Sequence, residues 1–147
     1  VGAEGVSIGT RYIACPEAGV NDAYKNAIVD SKMKDIVMTD KISGTPCTII
    51  DTPYAKKIGY KQNWMEKKLS TNKRTKKYFK LLIAFRGMKR LEKSILPAGY
   101  DTLWCAGQSV EMIDEIMPVK QITDKLMQET FDTLARLKTL AVKEVMA

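Results

Sequence analysis

The chain has 147 residues, 45% hydrophobic and 28% charged, with a formal net charge of +7; that is the length and apolar content of one folded domain with a single core, not of a disordered tail. It holds no run of about 18 apolar residues and no basic-then-apolar leader, so neither a membrane span nor a signal peptide is expected, and a soluble cytoplasmic protein is. Histidine is absent, which removes the commonest general base, the Ser/His and Cys/His nucleophile pairs and most transition-metal sites, so no metal ligands are assigned.

In chain order, GAEGVSIGTRYIAC (2–15) reads as a short buried strand over 6–8 ending in a Gly-Thr pair. From 16 to about 32, a proline in the first turn and apolar Val20, Tyr24, Ala27 and Ile28 at three- and four-residue spacing predict an amphipathic helix. DIVMTD (35–40) and CTIID (47–51) are short and β-branched, separated by a Ser-Gly turn, and predict two strands that pair with each other. Residues 53–70 are ambiguous, with helix favoured around QNWMEKKL. From 76 to about 95, Phe79, Leu82, Ile83, Phe85 or Arg86, Leu91 and Ile95 predict a helix in which Gly87 is a weak point and which Pro97 ends. TLWCAG (102–107) is apolar and Gly-terminated, and residues 108–116 read as helical. After Pro118 a long helix is expected, with Val119, Ile122, Leu126, Thr130, Leu134, Leu137, Ala141 and Val145 on one face.

Three short strands cannot bury that many amphipathic helices, so the apolar faces call for a partner. Charge is uneven too: residues 51–100 hold 14 Lys and Arg against 3 Asp and Glu. Cys15, Cys47 and Cys105 are odd in number and lack a CxxC pair, which argues against disulfides and zinc and for reduced, small hydrophobic residues.

Three stretches, GAEGVSIGTRYIACPEAGVNDAYKNAIVDS, DIVMTDKISGTPCTIIDTP and WCAGQSVEMIDEIMPVKQI, resemble in this order the C-terminal part of the nitronate monooxygenase family. That family was formerly called 2-nitropropane dioxygenase, and it includes the flavin-dependent enoyl-acyl-carrier-protein reductase of the second type. The resemblance implies an α/β fold that is the C-terminal fragment of an FMN-binding TIM barrel. Residues 1–15 would be the last barrel strand and a phosphate-binding turn, 16–100 an inserted, mainly helical cap with a short strand pair, and 101–147 C-terminal helices returning to the barrel. It further implies that Ser7, Ile8, Gly9 and Thr10 contact FMN. Gly9 would let the backbone come close to phosphate, with amides and the Thr10 hydroxyl as donors. Ser7 stands where the family usually has Gln, and Cys47 or Thr48 where it tends to have Arg. The family's catalytic histidine has no counterpart, so no catalytic residue is assigned and the chain alone is expected to be inactive.

The AGQ at 106–108 is open to two readings: a flavin-facing turn that brings Gln108 to the cofactor, or a glycine turn with Gln108 as a helix cap. The basic segment, with Lys56, Lys67, Lys73, Arg74, Lys77 and Lys80 among Trp64, Tyr78 and Phe79, fits nucleic acid, an acidic acyl carrier protein or a phosphate of NAD(P)H. Its plainest reading is a solvated helix face whose aromatics point into the core. The expected activity is oxidation of alkyl nitronates with molecular oxygen on FMN. The alternatives are NAD(P)H-dependent enoyl reduction, or a non-enzymatic basic α/β module for nucleic acid or an acidic protein. The expected partners are a small-molecule substrate and a second copy of the chain or the remaining N-terminal part of the barrel; no membrane is expected, and nucleic acid is disfavoured.

Overall fold

The computed structural model describes residues 4–42, 45–72, 76–96 and 102–145. The expected Ser43-Gly44 turn, Lys73, Arg74 and the Pro97 helix stop lie outside them. The elements are α1 (Thr10–Ile13), α2 (Asp22–Asp30), β1 (Ile36–Thr39), β2 (Cys47–Ile50), α3 (Pro53–Ile58), α4 (Trp64–Thr71), α5 (Lys76–Ile95) and α6 (Val119–Val145), with 3-10 turns at Met33–Asp35 and Gln108–Met112.

β1 and β2 pair with each other, as expected, and the pairing is antiparallel, with Ile36 opposite Ile50 and Val37 opposite Ile49. TLWCAG adds itself to the other edge of β2: Ile50 N donates to the Trp104 carbonyl at 2.9 Å and Ala106 N to the Thr48 carbonyl at 3.2 Å, with Cys105 opposite Ile49. Side chains on a strand alternate between faces, and here the alternation sorts the core into two. Ile36, Ile50, Trp104 and Ala106 pack with Ala14, Tyr24, Ile28, Val110 and Ile113 on one face. Val37, Ile49, Leu103 and Cys105 pack with Ile42, Ala55, Ile58 and Leu91 on the other.

On the first face the Tyr24 and Trp104 rings stack, with centroids 5.6 Å apart and planes at 7°, and the Tyr24 hydroxyl donates to the Cys105 carbonyl. Burial pushes that phenol far above its ordinary range, so it stays a donor. The helix expected from residue 16 begins only after Asn21, whose Oδ1 accepts from Tyr24 N at 2.7 Å. That cap fixes the start. Asn21 Nδ2 also reaches the Ser94 and Ile95 carbonyls at 2.8 and 3.1 Å, tying α2 to the end of α5. Trp104 Nε1 donates to the same Ser94 carbonyl at 3.1 Å. All three cysteines are free, and burial, the largest cause, raises the Cys47 and Cys105 thiols, consistent with inert core groups.

The ambiguous stretch 53–70 resolves into two helices. Thr52 caps α3 by accepting from Ala55 N at 3.1 Å, ahead of a proline at its start, while the Glu66 carboxylate accepts from Asn63 N at 2.7 Å and closes the start of α4.

Several expectations are corrected. Residues 6–8 form no strand, and Val6 is 85% exposed; a strand needs a neighbour for its backbone groups, and no described segment lies beside it. Residues 108–116 form one 3-10 turn, not an α-helix. The aromatics of the basic segment do not all point inward: Trp64 is 74% and Tyr78 76% exposed, and Lys68 Nζ sits 5.1 Å over the Trp64 ring. On α5, Leu82 and Phe85 face out as well. The apolar face of α6 docks through Ile122, and beyond half-buried Leu126 its Leu134, Leu137 and Leu140 stay exposed; the side chains of Ala141 and Val145 are outside the description.

Gly87 is not a weak point in α5. A Cβ there would stand 2.0 Å from the Ile42 carbonyl oxygen, so only glycine lets the turn after β1 seat on the helix. Gly87→Ala therefore loses stability despite alanine's better helix propensity: the backbone overlap outweighs the roughly 1 kcal/mol that propensity returns, for a net loss of about 1–3 kcal/mol. Urea denaturation checks this, and an alanine variant as stable as the parent would refute the contact.

Candidate functional site

The sequence motifs meet at one place. Thr10 opens α1 and half-buries its side chain, and its Oγ1 accepts from Gly107 N at 3.0 Å, across 97 residues of chain. The turn at 7–10 and the turn at 107–109 therefore lie side by side. Because the Thr10 hydroxyl acts there as acceptor, its own proton remains available, and no described residue takes it.

Three further contacts hold α1 in position. Arg11 Nη1 donates to the Glu115 carbonyl at 2.9 Å, Met117 N donates to the Ala14 carbonyl at 3.3 Å, and the Tyr12 and Thr123 hydroxyls are 3.2 Å apart. Glu17 Oε1 accepts from Val119 N at 3.0 Å at the start of α6; backbone donors at Glu17 itself and at Val119 hold this carboxyl below its ordinary range. The turn is thus braced against the 113–118 loop and α6, and beside it opens a cavity of about 440 Å³ lined by Ile8, Arg11, Ser109, Met112, Ile122 and Leu126, among others.

Ser7 is exposed at the edge of this region, Ile8 lines the cavity, Thr10 bridges to Gly107 and Gln108 is exposed beside it. The amides of residues 7–11 donate to no described residue. Gly9 has φ −103° and ψ −63°, accessible to any residue, and a Cβ built on it meets nothing within 4 Å. Neither backbone strain nor packing inside the chain asks for glycine there. Gln108 is not the helix cap: Gly107 occupies that position, with no side-chain cap bond. Sequence reasoning missed Gly107 as Thr10's partner, and Ser109 and Arg11 as wall residues; the AGQS and GTR strings held the signal, but nothing local could pair them. Among the described residues no cluster of three His, Cys, Asp or Glu is gathered, and no described helix is long and apolar enough to cross a membrane.

The family model for nitronate monooxygenase matches residues 1–129. The chain belongs to the nitronate monooxygenase family. A probable nitronate monooxygenase of Bacillus subtilis is 28% identical over 131 residues, 88% of this chain and 34% of that protein. One of Staphylococcus saprophyticus is 40% identical over 58 residues, 40% of this chain and 16% of that protein. FabK from Thermotoga maritima superposes with a TM-score of 0.67 at 28% identity, over 93% of this chain and 40% of that one, and a point mutant of it gives 0.66 at 30%, over 93% and 36%. The chain thus spans well under half the length of the family members it matches.

Thr10→Val keeps the shape and removes the acceptor. The Gly107 amide then exchanges with solvent faster, and stability falls by about 1 kcal/mol, because a half-exposed amide is partly rescued by water. Thr10→Ser preserves both. Hydrogen exchange at Gly107 is the readout, and an unchanged rate in the valine variant would show that the bond does not hold the turns together.

Proposed function

We propose that the paired turns form part of an FMN site in an oxidoreductase of the nitronate monooxygenase type, with residues 7–10 at the cofactor phosphate and Gln108 at the ring side. The single observation behind this is the Thr10 to Gly107 hydrogen bond, which joins the two glycine turns beside a cavity in a chain of this family. The residues suit the group. Amides at 7–11 and a Thr10 proton that no described residue engages, with the Ser7 hydroxyl, would serve as phosphate donors, and the open space at Gly9 would admit close approach. FMN, when bound, supplies two-electron transfer between an organic substrate and oxygen or a nicotinamide.

This chain's own part is positioning. The turn would orient the phosphate, Arg11 and Glu17 would brace it through their backbone contacts, and Ile8, Met112 and Leu126 would exclude water from the adjoining cavity. Asp114, Glu115 and Glu129 also line that cavity, but no catalytic role is assigned to them, and the acid–base group would come from polypeptide outside this chain. On this reading the turn at 7–10 lies at the end of a TIM barrel, with 16–100 as its cap and 101–147 as the return to the barrel wall. The likeness to FabK favours a second reading in the enoyl-reductase branch of the family, with NAD(P)H as donor and an acyl-carrier thioester as substrate.

The test is made on the intact protein. Bound flavin should absorb near about 450 nm, and Gly9→Val should lose most of it while unfolding at the same denaturant concentration, since its side chain enters open space. A valine variant that keeps its flavin would sink the assignment. Oxygen uptake with an alkyl nitronate, against NAD(P)H oxidation with an enoyl thioester, separates the two readings.

The exposed Leu134, Leu137 and Leu140 ridge of α6 is proposed to be covered by association, either with a second copy or with the remaining barrel. Size-exclusion chromatography of the chain should give more than the 16.5 kDa of one copy, and Leu137→Glu with Leu140→Glu should shift it to that mass. Elution of the unmutated chain as a monomer would count against it.

A further inference from the structure

A second cavity, of about 330 Å³, lies between the turn after β1 and helices α3, α4 and α5, away from the paired glycine turns. We propose that it binds a phosphoryl group carried on a partly apolar small molecule, with Arg86 and Arg90 as the anion fork and Lys41 as the third cation. The proposal is independent of the flavin reading.

Arg86 and Arg90 stand one turn apart on α5 and both line the cavity. Neither has an ion pair or hydrogen bond to any described residue. Like charges four apart on a helix repel, so a guanidinium pair at this spacing costs stability that no ion pair among the described residues offsets. The one acidic group in the lining, Glu66, is already within 3.9 Å of Lys41 Nζ. The lining therefore carries three cations against one carboxylate, an excess that a phosphate monoester, at about −1.5 to −2 near neutral pH, neutralises and a single carboxylate does not. Arginine forks suit phosphate oxygens bidentately.

The remaining wall is apolar, with Ile42, Ile58, Phe79 and Ile83, which lowers the local dielectric around the charges and offers contact to a ligand's organic part. The cavity is also held in shape. Gly87, between the two arginines, packs its backbone on the Ile42 carbonyl, so the turn and the helix cannot slide without breaking that contact.

The experiment is calorimetric titration of the chain at low salt with three probes: inorganic phosphate, AMP and 4′-phosphopantetheine. Phosphoryl recognition predicts binding of at least one organic phosphate, at least roughly tenfold tighter than adenosine or pantetheine without the phosphate, and weakening with salt. Tighter binding of AMP identifies a nucleotide as the source, tighter binding of phosphopantetheine a carrier arm, and equal binding a site for the phosphoryl group alone. Arg86→Gln and Arg90→Gln should each lower the affinity by roughly tenfold, with circular dichroism unchanged, and Arg90→Lys should retain part of it. Lys89→Gln removes the same charge from the outward face, where Lys89 Nζ lies 5.1 Å over the Phe85 ring, and should leave the affinity within about twofold of the parent if a built site and not a diffuse basic field is read out. Binding of none of the probes, or arginine variants that bind as the parent does or lose no more than Lys89→Gln, would overturn the proposal.

Discussion

The antiparallel hydrogen bonds between β2 and residues 104–106 are the constraint on which the rest of the structure depends. Two such bonds contribute about 1 kcal/mol each, whereas burying a Trp or Tyr ring contributes roughly 4–6 kcal/mol at about 25 cal/mol per Å². Stability therefore comes from the rings and aliphatic groups, and the bonds decide where those groups go. A shift of one residue would send Trp104 to the face of Leu103 and break the Tyr24 stack. It would also carry Gly107 away from Thr10, because only Ala106 separates Cys105, bridged to Ile49, from Gly107. The register of a short β strip thus places one half of the candidate site.

The end of α5 transmits the same constraint to the N-terminal half. The Ser94 carbonyl accepts both from the Trp104 indole and from the Asn21 amide, and Ser94 Oγ lies 2.9 Å from the Leu103 carbonyl. One fully buried serine thereby links the strip, α5 and the cap of α2. α2 in turn carries Tyr24 and Ile28 into the first core, against which the end of α1 is seated through Ile13 and Ala14. The two turns are fixed relative to each other through the core as well as through their own hydrogen bond.

This explains which parts were legible in the sequence. The pair at 35–40 and 47–51, α5 and the long C-terminal helix carry their signals within a few residues, as β-branched runs or apolar spacing, and the structure has them. TLWCAG reads as apolar and glycine-terminated, but its role depends on a partner more than 50 residues earlier, which no local pattern names. The start of α2 went astray because Pro16 and Glu17 imitate a first turn, while Asn21, the actual cap, owes much of its position to carbonyls on α5. At 6–8 the alternation of a strand is present without a described neighbour to pair with. The motif glycines and Thr10 were visible as strings; their meeting was not.

Three glycines separate what the chain itself demands from what it does not. Gly59 has φ +82°, where a side chain is strained. Gly87 is required by the Ile42 carbonyl, a contact wholly inside the protein. Gly9 answers to neither reason, since its φ is negative and no atom of a described residue lies within 4 Å of a Cβ placed there. Gly5 and Gly19 are equally open, so what sets Gly9 apart is its setting, beside amides at 7–11 and a Thr10 hydroxyl proton that no described residue engages. Arg86 and Arg90 bear the cost of like charges with no partner among the described residues. In both places a requirement left unmet by the described residues, not a contact already made, is what the two proposals would have another molecule supply.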